Sequence, residues 1–282
     1  MLPISVAPTV SELRRILASW REQKNGIALV PTMGALHEGH LSLVRLARQR
    51  AERVVVSIFV NPTQFAPNED FSKYPRTFED DCTKLAGFAD LVFAPTMEEM
   101  YPPGAATTVV PEGPATVGLE DRFRPTHFQG VATVVAKLLI QVMPDLAVFG
   151  EKDYQQLKVV TRMTTDLCLP VEIVPALTVR EPDGLAMSSR NRYLSSEERR
   201  TAPALFGLLT RAAADIRAGR DLNRVLDEAR SALTDVGFVV DYVEARNAET
   251  LAQVEDGFEA SPLRLLAAAR LGVTRLIDNV MV

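Results

Sequence analysis

Along the first half of the chain, short apolar runs alternate with stretches whose apolar residues recur every three or four positions. Leu13, Ile16, Leu17 and Trp20 fall at helical spacing over residues 11–23, and the run Ile27-Ala28-Leu29-Val30 then stops at Pro31. A loop with Gly34 and Gly39 leads to a helix over residues 39–50, with Leu41, Val44 and Ala47 on one stripe, and to a strand over 54–60. That is one βαβ unit with its loop on the carboxyl edge of the first strand. The alternation predicts further helices over 77–87, 131–142 and 153–167, each followed by a strand, at 91–94, 146–149 and 171–174. Continuous apolar strands of this kind are buried on both faces, so the pattern predicts a Rossmann-like, doubly wound parallel α/β sheet. Residues 101–124, rich in proline and glycine, interrupt it as an excursion.

The second half has a different texture. Ser195-Ser196-Glu197-Glu198 places a serine three residues before a glutamate, a capping box that starts a helix near Ser196. A second helix is predicted over 221–235, ending at Gly237, and strands follow over 238–245, 263–271 and 275–282. These make a smaller α+β domain. The turn Arg180-Glu181-Pro182-Asp183-Gly184 sets the boundary, giving domains of 1–178 and 179–282 within the 282 residues.

Composition narrows the chemistry. The 31 basic and 36 acidic residues leave a net charge of −5, which argues against a protein that neutralises many nucleic-acid phosphates. The longest uncharged stretch, residues 54–68, is broken by two prolines and too short to span a bilayer. No basic residue precedes Arg14, so a signal peptide is not expected, and Cys82 and Cys168 cannot form a disulfide framework; a cytoplasmic location fits. Only three histidines occur, and no lysine follows Lys158.

The most informative segment is Pro31-Thr32-Met33-Gly34-Ala35-Leu36-His37-Glu38-Gly39-His40, between the first strand and its helix. Ligands of open α/β sheets bind beyond the carboxyl ends of strands, where a helix N-terminus offers N–H groups and a positive dipole to phosphate. His37 and His40, three apart, can both face one phosphate and donate hydrogen bonds to developing charge. A loop with two solvated histidines is the plain alternative; zinc would need more ligands than this segment offers. Neither a Walker lysine motif nor Gly-x-Gly-x-x-Gly is present.

Other strand ends carry related chemistry. In Gly150-Glu151-Lys152-Asp153, Lys152 can neutralise phosphate, and Gln156 follows one turn later; a capped surface helix is the alternative. Met187-Ser188-Ser189-Arg190 suits a triphosphate, or is a polar loop. Gln64 offers a donor and an acceptor to a hydroxy acid. Asp80 and Asp81 are candidate magnesium ligands or solvated acids of a helix's first turn.

Taken together and in chain order, these segments resemble the pantoate–beta-alanine ligase family of the HIGH-motif, adenylate-forming nucleotidyltransferase superfamily. The matching stretches include Val30 to Gly34, His37-Glu38-Gly39-His40, Ser57 to Pro62 with Gln64-Phe65, Tyr74 to Thr77, Gly150 to Asp153, Gln155-Gln156, Ser188 to Asn191 and Leu276 to Asn279. The resemblance implies an enzyme that activates pantoate with ATP as pantoyl adenylate, releasing pyrophosphate, and then lets beta-alanine displace AMP. It implies ATP contacts from Met33 through His40, from Gly150, Glu151, Lys152 and Asp153, from Val179 and from Met187 through Arg190. His40 is the implied proton donor, with His37, Lys152, Ser188, Ser189 and Arg190 beside it. Gln64 and Gln156 would bind pantoate, and Gln64 also beta-alanine. Mg2+ would bridge the phosphates, with Asp80 or Asp81 in reach, and the family forms homodimers closed by the smaller domain.

One stretch departs from the family pattern. Arg124-Pro125-Thr126-His127-Phe128-Gln129-Gly130 has Thr126 for a glycine and Gln129 for an arginine, which leaves His127 without an assigned role. Two other readings compete with the ligase. An adenylyltransferase of the same superfamily with a phosphorylated acceptor would need a cationic second pocket, whereas Gln64 and Gln156 are neutral. A nucleotide-sensing module that has lost its chemistry need not keep His37, His40, Lys152 and Arg190 together.

Overall fold

The computed structural model describes residues 2–66, 69–254 and 262–282. Strand β1 (Ser5–Ala7) leads into α1 (Val10–Glu22), whose N-terminus is capped by the Thr9 hydroxyl accepting from Glu12 N–H. Then come β2 (Ile27–Thr32), α2 (Glu38–Arg50), β3 (Arg53–Ile58), α3 (Phe78–Leu85) and β4 (Leu91–Phe93). The excursion holds two single-turn helices, α4 (Met97–Met100) and α5 (Glu120–Phe123). It is followed by α6 (His127–Val142), β5 (Leu146–Gly150), α7 (Tyr154–Asp166) and β6 (Glu172–Ala176).

All neighbouring strands of this sheet run parallel, in the order β1-β4-β3-β2-β5-β6. Because successive side chains alternate across a strand, each strand supplies two cores. Ile27, Leu29, Val55, Leu91, Phe93, Ala147 and Phe149 point into one, with α1, α6 and α7. Ala28, Val30, Val54, Val56, Val92, Leu146 and Val148 point into the other, with α2 and α3. The predicted doubly wound sheet is therefore observed, with both faces covered.

The sheet winds outward in two directions from β2 and β5. These two strands are paired only at Ala28 with Leu146 and Leu29 with Ala147. Beyond that point they part, and the crevice of a topological switch point opens between their carboxyl ends. Pro31 does not end β2, as its ring suggested. The strand runs on to Thr32 in register with β3, and Pro31 stands where the ladder to β5 has already stopped, so its missing N–H costs no bond there.

The chain then forms α8 (Ser196–Thr201), α9 (Ala204–Arg217), α10 (Leu222–Asp235) and an antiparallel sheet of β7 (Val239–Asn247), β8 (Leu263–Leu271) and β9 (Thr274–Met281). The Ser195–Glu198 capping box forms as expected. One face of β8, through Leu265, Ala267 and Ala269, packs on α9 and α10. The other, through Leu266 and Ala268, joins the core of the parallel sheet beside Tyr154 and Leu157. Short β1 and all of α9 have no counterpart in the sequence reading. α9 is preceded by Pro203, which makes no side-chain cap bond, so nothing polar marks its start.

Helix α6 begins four residues earlier than its apolar stripe suggested. Gly130 lies inside it because the backbone of the turn at Pro62–Gln64 packs directly against that position. A β-carbon there would stand 2.3 Å from the Thr63 carbonyl oxygen and 2.5 Å from its carbon. Both are backbone atoms, which cannot swing aside. Gly130→Ala is therefore expected to destabilise the fold by about 1–3 kcal/mol, as overpacking does. Urea unfolding checks this; an unshifted midpoint would contradict the close docking.

Candidate active site

The crevice between β2 and β5 widens into a cavity of about 980 Å³, within the range of small-molecule sites. Its walls come from both strand ends, from the loop after β3, from α6, and from the segment between β6 and α8. Met33, His37, Gly39, His40, Gln64, Gly150, Lys152, Asp153, Gln156, Val179, Met187, Ser188, Ser189 and Arg190 all line it. Most of the predicted site residues, drawn from distant parts of the sequence, therefore meet.

The first segment is built by Asp81. This carboxylate is fully buried and accepts N–H bonds from Ala35 at 2.9 Å and Leu36 at 2.8 Å, with the Thr77 hydroxyl at 3.2 Å. It pins a loop in which Gly34 has φ +79° and Ala35 has φ +51°. Left-handed geometry suits glycine but strains alanine, so the buried hydrogen bonds are what hold Ala35 there. Asp81 is thus a loop anchor and not the expected metal ligand. Asp80 is the other half of that correction: it pairs with Lys84 at 2.6 Å on the surface of α3, and neither acid lines the cavity. Among the described residues no three His, Cys, Asp or Glu side chains are grouped to hold a metal. The residues present do not form a magnesium cradle.

The same loop commits four other predicted contacts to bonds of their own. Ala35 and Leu36 give their N–H groups to Asp81, Gly34 gives its own to Thr32 Oγ1 at 3.2 Å, and Glu38 pairs with Arg45. None of these four lines the cavity, and neither does Glu151, whose carboxylate reaches Arg264 of β8 at 3.0 Å. The polar character of these positions serves the frame around the site.

The two histidines close the start of α2 on themselves. His37 Nδ1 accepts from Gly39 N–H at 3.2 Å, His40 Nδ1 accepts from His37 N–H at 3.4 Å, and the ring centroids are 4.1 Å apart. The expected free backbone donors are therefore partly consumed. What remains for a ligand is the positive end of the helix and, with Nδ1 accepting, an Nε2–H on each neutral ring. Burial, then Lys152, pulls the His37 pKa down to about 4; burial, then His37, pulls that of His40 down to about 3. Both shifts favour the neutral rings, each of which presents an Nε2–H to a ligand.

Across the crevice, the Lys152 ammonium lies 3.6 Å from Asp153, and both backbone carbonyls at Glu151 and Lys152 accept from Asn279 of β9. Val179 and Met187 are joined by a 3.0 Å backbone bond, so these two predicted contacts sit on one short hairpin. Ser188 caps the next turn by accepting from Arg190 N–H at 3.2 Å, and Ser189 Oγ meets Tyr74 Oη at 3.2 Å. Arg190 is not free: its Nε and Nη2 each bond Asp70 at 3.0 Å. Sequence reasoning gave no role to Asn61 or Tyr74, although both lie in stretches it singled out, and it did not single out Asp70; no spacing rule connects them to their partners.

Gln64 and Gln156 present uncharged amides to the same cavity. Gln64 Oε1 accepts from Asn61 at 3.1 Å, and its Nε2 lies 3.2 Å from Met33 Sδ. Cationic and hydrogen-bonding groups thus face neutral amides, with aromatic and aliphatic walls between. Such a site can align an acid with a nucleotide phosphate.

A sequence model described as Pantoate-beta-alanine ligase matches residues 5–281. The chain is 59% identical over 278 residues to a pantothenate synthetase of Bradyrhizobium sp. strain BTAi1, covering 98% of each. It is 57% identical over 281 residues to that of Rhodopseudomonas palustris strain CGA009, covering 99% of each. Among solved structures, it resembles pantothenate synthetase from Thermus thermophilus with a TM-score of 0.91 and 48% identity, over 98% of this chain and 99% of that one. It also resembles pantoate-beta-alanine ligase from Francisella tularensis, complexed with beta-gamma ATP and beta-alanine. There the TM-score is 0.82 at 33% identity, over 99% of this chain and 97% of the other.

Two measurements test this geometry. Asp81→Ala leaves two buried N–H groups unpaired, each worth about 1–3 kcal/mol. It should lower stability equally with and without magnesium; a loss that grows when magnesium is added, because only the unmodified protein binds the ion, would restore the metal role. For the histidines, a folded pKa below the ordinary 6.5 means the unfolded chain binds more protons between about 4 and 6.5. Stability should therefore fall as pH drops through that window, and the ring signals in NMR should titrate below pH 5. Titration near 6.5 would overturn the assignment.

Proposed function

Since the chain belongs to the pantoate-beta-alanine ligase family, we propose that it condenses pantoate with beta-alanine in an ATP-dependent ligase reaction, at the cavity between β2 and β5. The carrying observation is the meeting of His37, His40 and Lys152 with Gln64 and Gln156 in one crevice at the switch point of the sheet.

The chemistry proceeds in two displacements. A carboxylate is a poor acyl donor because its oxygen is a poor leaving group. Its oxygen attacks the α-phosphorus of ATP, the bond to the β,γ unit breaks, and pyrophosphate leaves with the electron pair. The amine of beta-alanine then attacks the activated carbonyl carbon and gives up a proton to the departing phosphate or to water, the acyl–oxygen bond breaks, and AMP departs. Holding acid and α-phosphorus in line is the larger part of the task.

The residues divide that task. Lys152 neutralises phosphate charge, and the Nε2–H groups of His37 and His40 bond oxygens whose charge grows as pyrophosphate leaves. Carboxylate attack needs no proton, so a neutral His40 suits this step. Gly39 lets the nucleotide approach α2, while Met33, Gly150, Asp153, Val179 and Met187 wall it. Ser188 and Ser189 offer hydroxyls. Arg190 reaches phosphate by exchanging Asp70 for it. Gln64 and Gln156 hold the hydroxyl and carboxylate groups of pantoate, and Gln64 also meets beta-alanine. Neutral amides favour this acid over a phosphorylated acceptor.

Magnesium would enter with ATP and be held by phosphate oxygens and water, as is usual for this ion. Residues 179–282 form a cover over the nucleotide-binding part, 1–178, and exclude water from the adenylate. Family resemblance supports a homodimer and a cytoplasmic location. Among the described residues no helix is long and apolar enough to cross a membrane.

Exchange of labelled pyrophosphate into ATP, dependent on pantoate but not beta-alanine, tests the reading. Folded protein with magnesium should support it, and His40→Ala should slow it by at least about 10²-fold. No exchange by the unmodified protein would defeat the function. Undiminished exchange in the variant would remove His40 from the mechanism.

A further inference from the structure

His127 has no part in the chemistry above, yet it is buried in the wall of the cavity. Its Nδ1–H donates to the backbone carbonyl of Gln64 at 2.9 Å, and its Nε2 accepts from Arg124 Nη1 at 3.2 Å. Arg124 donates to the same Gln64 carbonyl at 3.1 Å, and its far edge is fixed by Glu69, at 2.8 Å to Oε2. Both lone pairs of one carbonyl are thereby occupied, and both nitrogens of the ring are used. His127 cannot exchange a proton with substrate without releasing Gln64 or Arg124.

The turn it holds has little strength of its own. Pro62–Gln64 is a single 3-10 turn, closed by one backbone bond from Phe65 N–H to Pro62 at 3.1 Å. Such turns have poor hydrogen-bond geometry and need outside support. That support comes from the start of α6. Gly130 lies flush against Thr63, its carbonyl accepts from Asn61 Nδ2 at 3.2 Å, and the same Asn61 amide reaches Gln64 Oε1. Arg124, His127 and Gly130, spaced three apart, all meet this turn. The two positions that depart from the family pattern lie elsewhere: Thr126 makes no cap bond and Gln129 reaches Thr108 at the surface. Burial and the neighbouring Arg124 lower the His127 pKa to about 4 against the smaller opposing effects of the Gln64 hydrogen bond, Glu120 and Glu69, so the ring keeps Nε2 free to accept.

We propose that His127 is a positioning residue for pantoate: by holding the Gln64 carbonyl together with Arg124, it aims the Gln64 side-chain amide into the cavity. The proposal rests on the assignment of Gln64 to pantoate. Misplacing such a group by about 1 Å is enough to cost ~10²-fold in a reaction that depends on alignment, and the effect falls on the acid and not on the nucleotide.

The test is steady-state kinetics on the full-length protein with pantoate and ATP varied separately, alongside thermal unfolding. His127→Phe keeps the ring's bulk and removes both bonds. It should raise the pantoate KM at least ~5-fold while the ATP KM moves less than ~2-fold. His127→Asn places an N–H where Nδ1 stands, and His127→Gln places one near Nε2. Asn should recover most of the loss and Gln should not. In a Gln64→Ala background, His127→Phe should add less than ~2-fold, because the two act through one contact.

Equal rises in both KM values, an unchanged pantoate KM, or equal kinetics for the Asn and Gln variants would each overturn the proposal. If the Phe variant does not fold, the Asn and Gln pair decides alone. An unchanged pantoate KM in Gln64→Ala itself would overturn the assignment of Gln64 and the positioning role with it. A raised KM there, with His127→Phe unaffected, overturns only the role of His127.

Discussion

Everything functional here depends on two parallel strands that pair briefly and then separate. β2 and β5 share a ladder over two residue pairs, Ala28 with Leu146 and Leu29 with Ala147. Their carboxyl ends then diverge because the chain leaves each toward a different flank of the sheet. Neither departing loop can be satisfied by the other, so each finds partners of its own. One is pinned by the buried Asp81 carboxylate, and the other by Asn279 from the antiparallel sheet. The cavity is the space that those separate solutions leave between them.

The electrostatics follow the same economy. Nearly every guanidinium around the site is matched in advance: Arg124 with Glu69, Arg180 with Asp278, Arg190 with Asp70 and Arg264 with Glu151. Partly buried pairs of this kind gain less than their Coulomb attraction suggests, since desolvation opposes it. Their value is geometric. Arg264 stacks 4.0 Å from the Tyr154 ring while reaching Glu151, and Arg180 stacks 3.6 Å from Phe206 while holding Asp278. These contacts fix the antiparallel sheet against the strand ends that carry Lys152 and Val179.

Much of this was legible in the sequence because period and position carry it. Apolar runs of four or five residues between amphipathic stretches gave the sheet, and glycine and histidine at a strand-to-helix turn gave the crevice. Near-neighbours in the chain that reach the cavity together, such as His37, Gly39 and His40 or Gly150, Lys152 and Asp153, were legible for that reason. What stayed hidden depends on partners far apart in the chain. The acidic pair Asp80 and Asp81 looks like a metal site until Ala35 and Leu36, 46 and 45 residues away, are seen to donate to Asp81. The helix expected from residue 131 takes in Gly130, whose place only the Thr63 backbone packed against it explains. α9 has an ordinary helical composition but starts without a capping side chain, so nothing local distinguished it.

The bond between Arg190 and Asp70 has a thermodynamic consequence. With its guanidinium already matched by a carboxylate, the resting cavity behaves like an ion exchanger loaded with its own counter-ion. A phosphate oxygen that takes Arg190 returns Asp70 to water, so its net gain is the difference between two charge-assisted pairs and not the whole of one. Ionic strength weakens both pairs together. The salt sensitivity contributed by this arginine is then smaller than its formal charge implies, and selectivity among anions at this position turns on shape and denticity more than on charge.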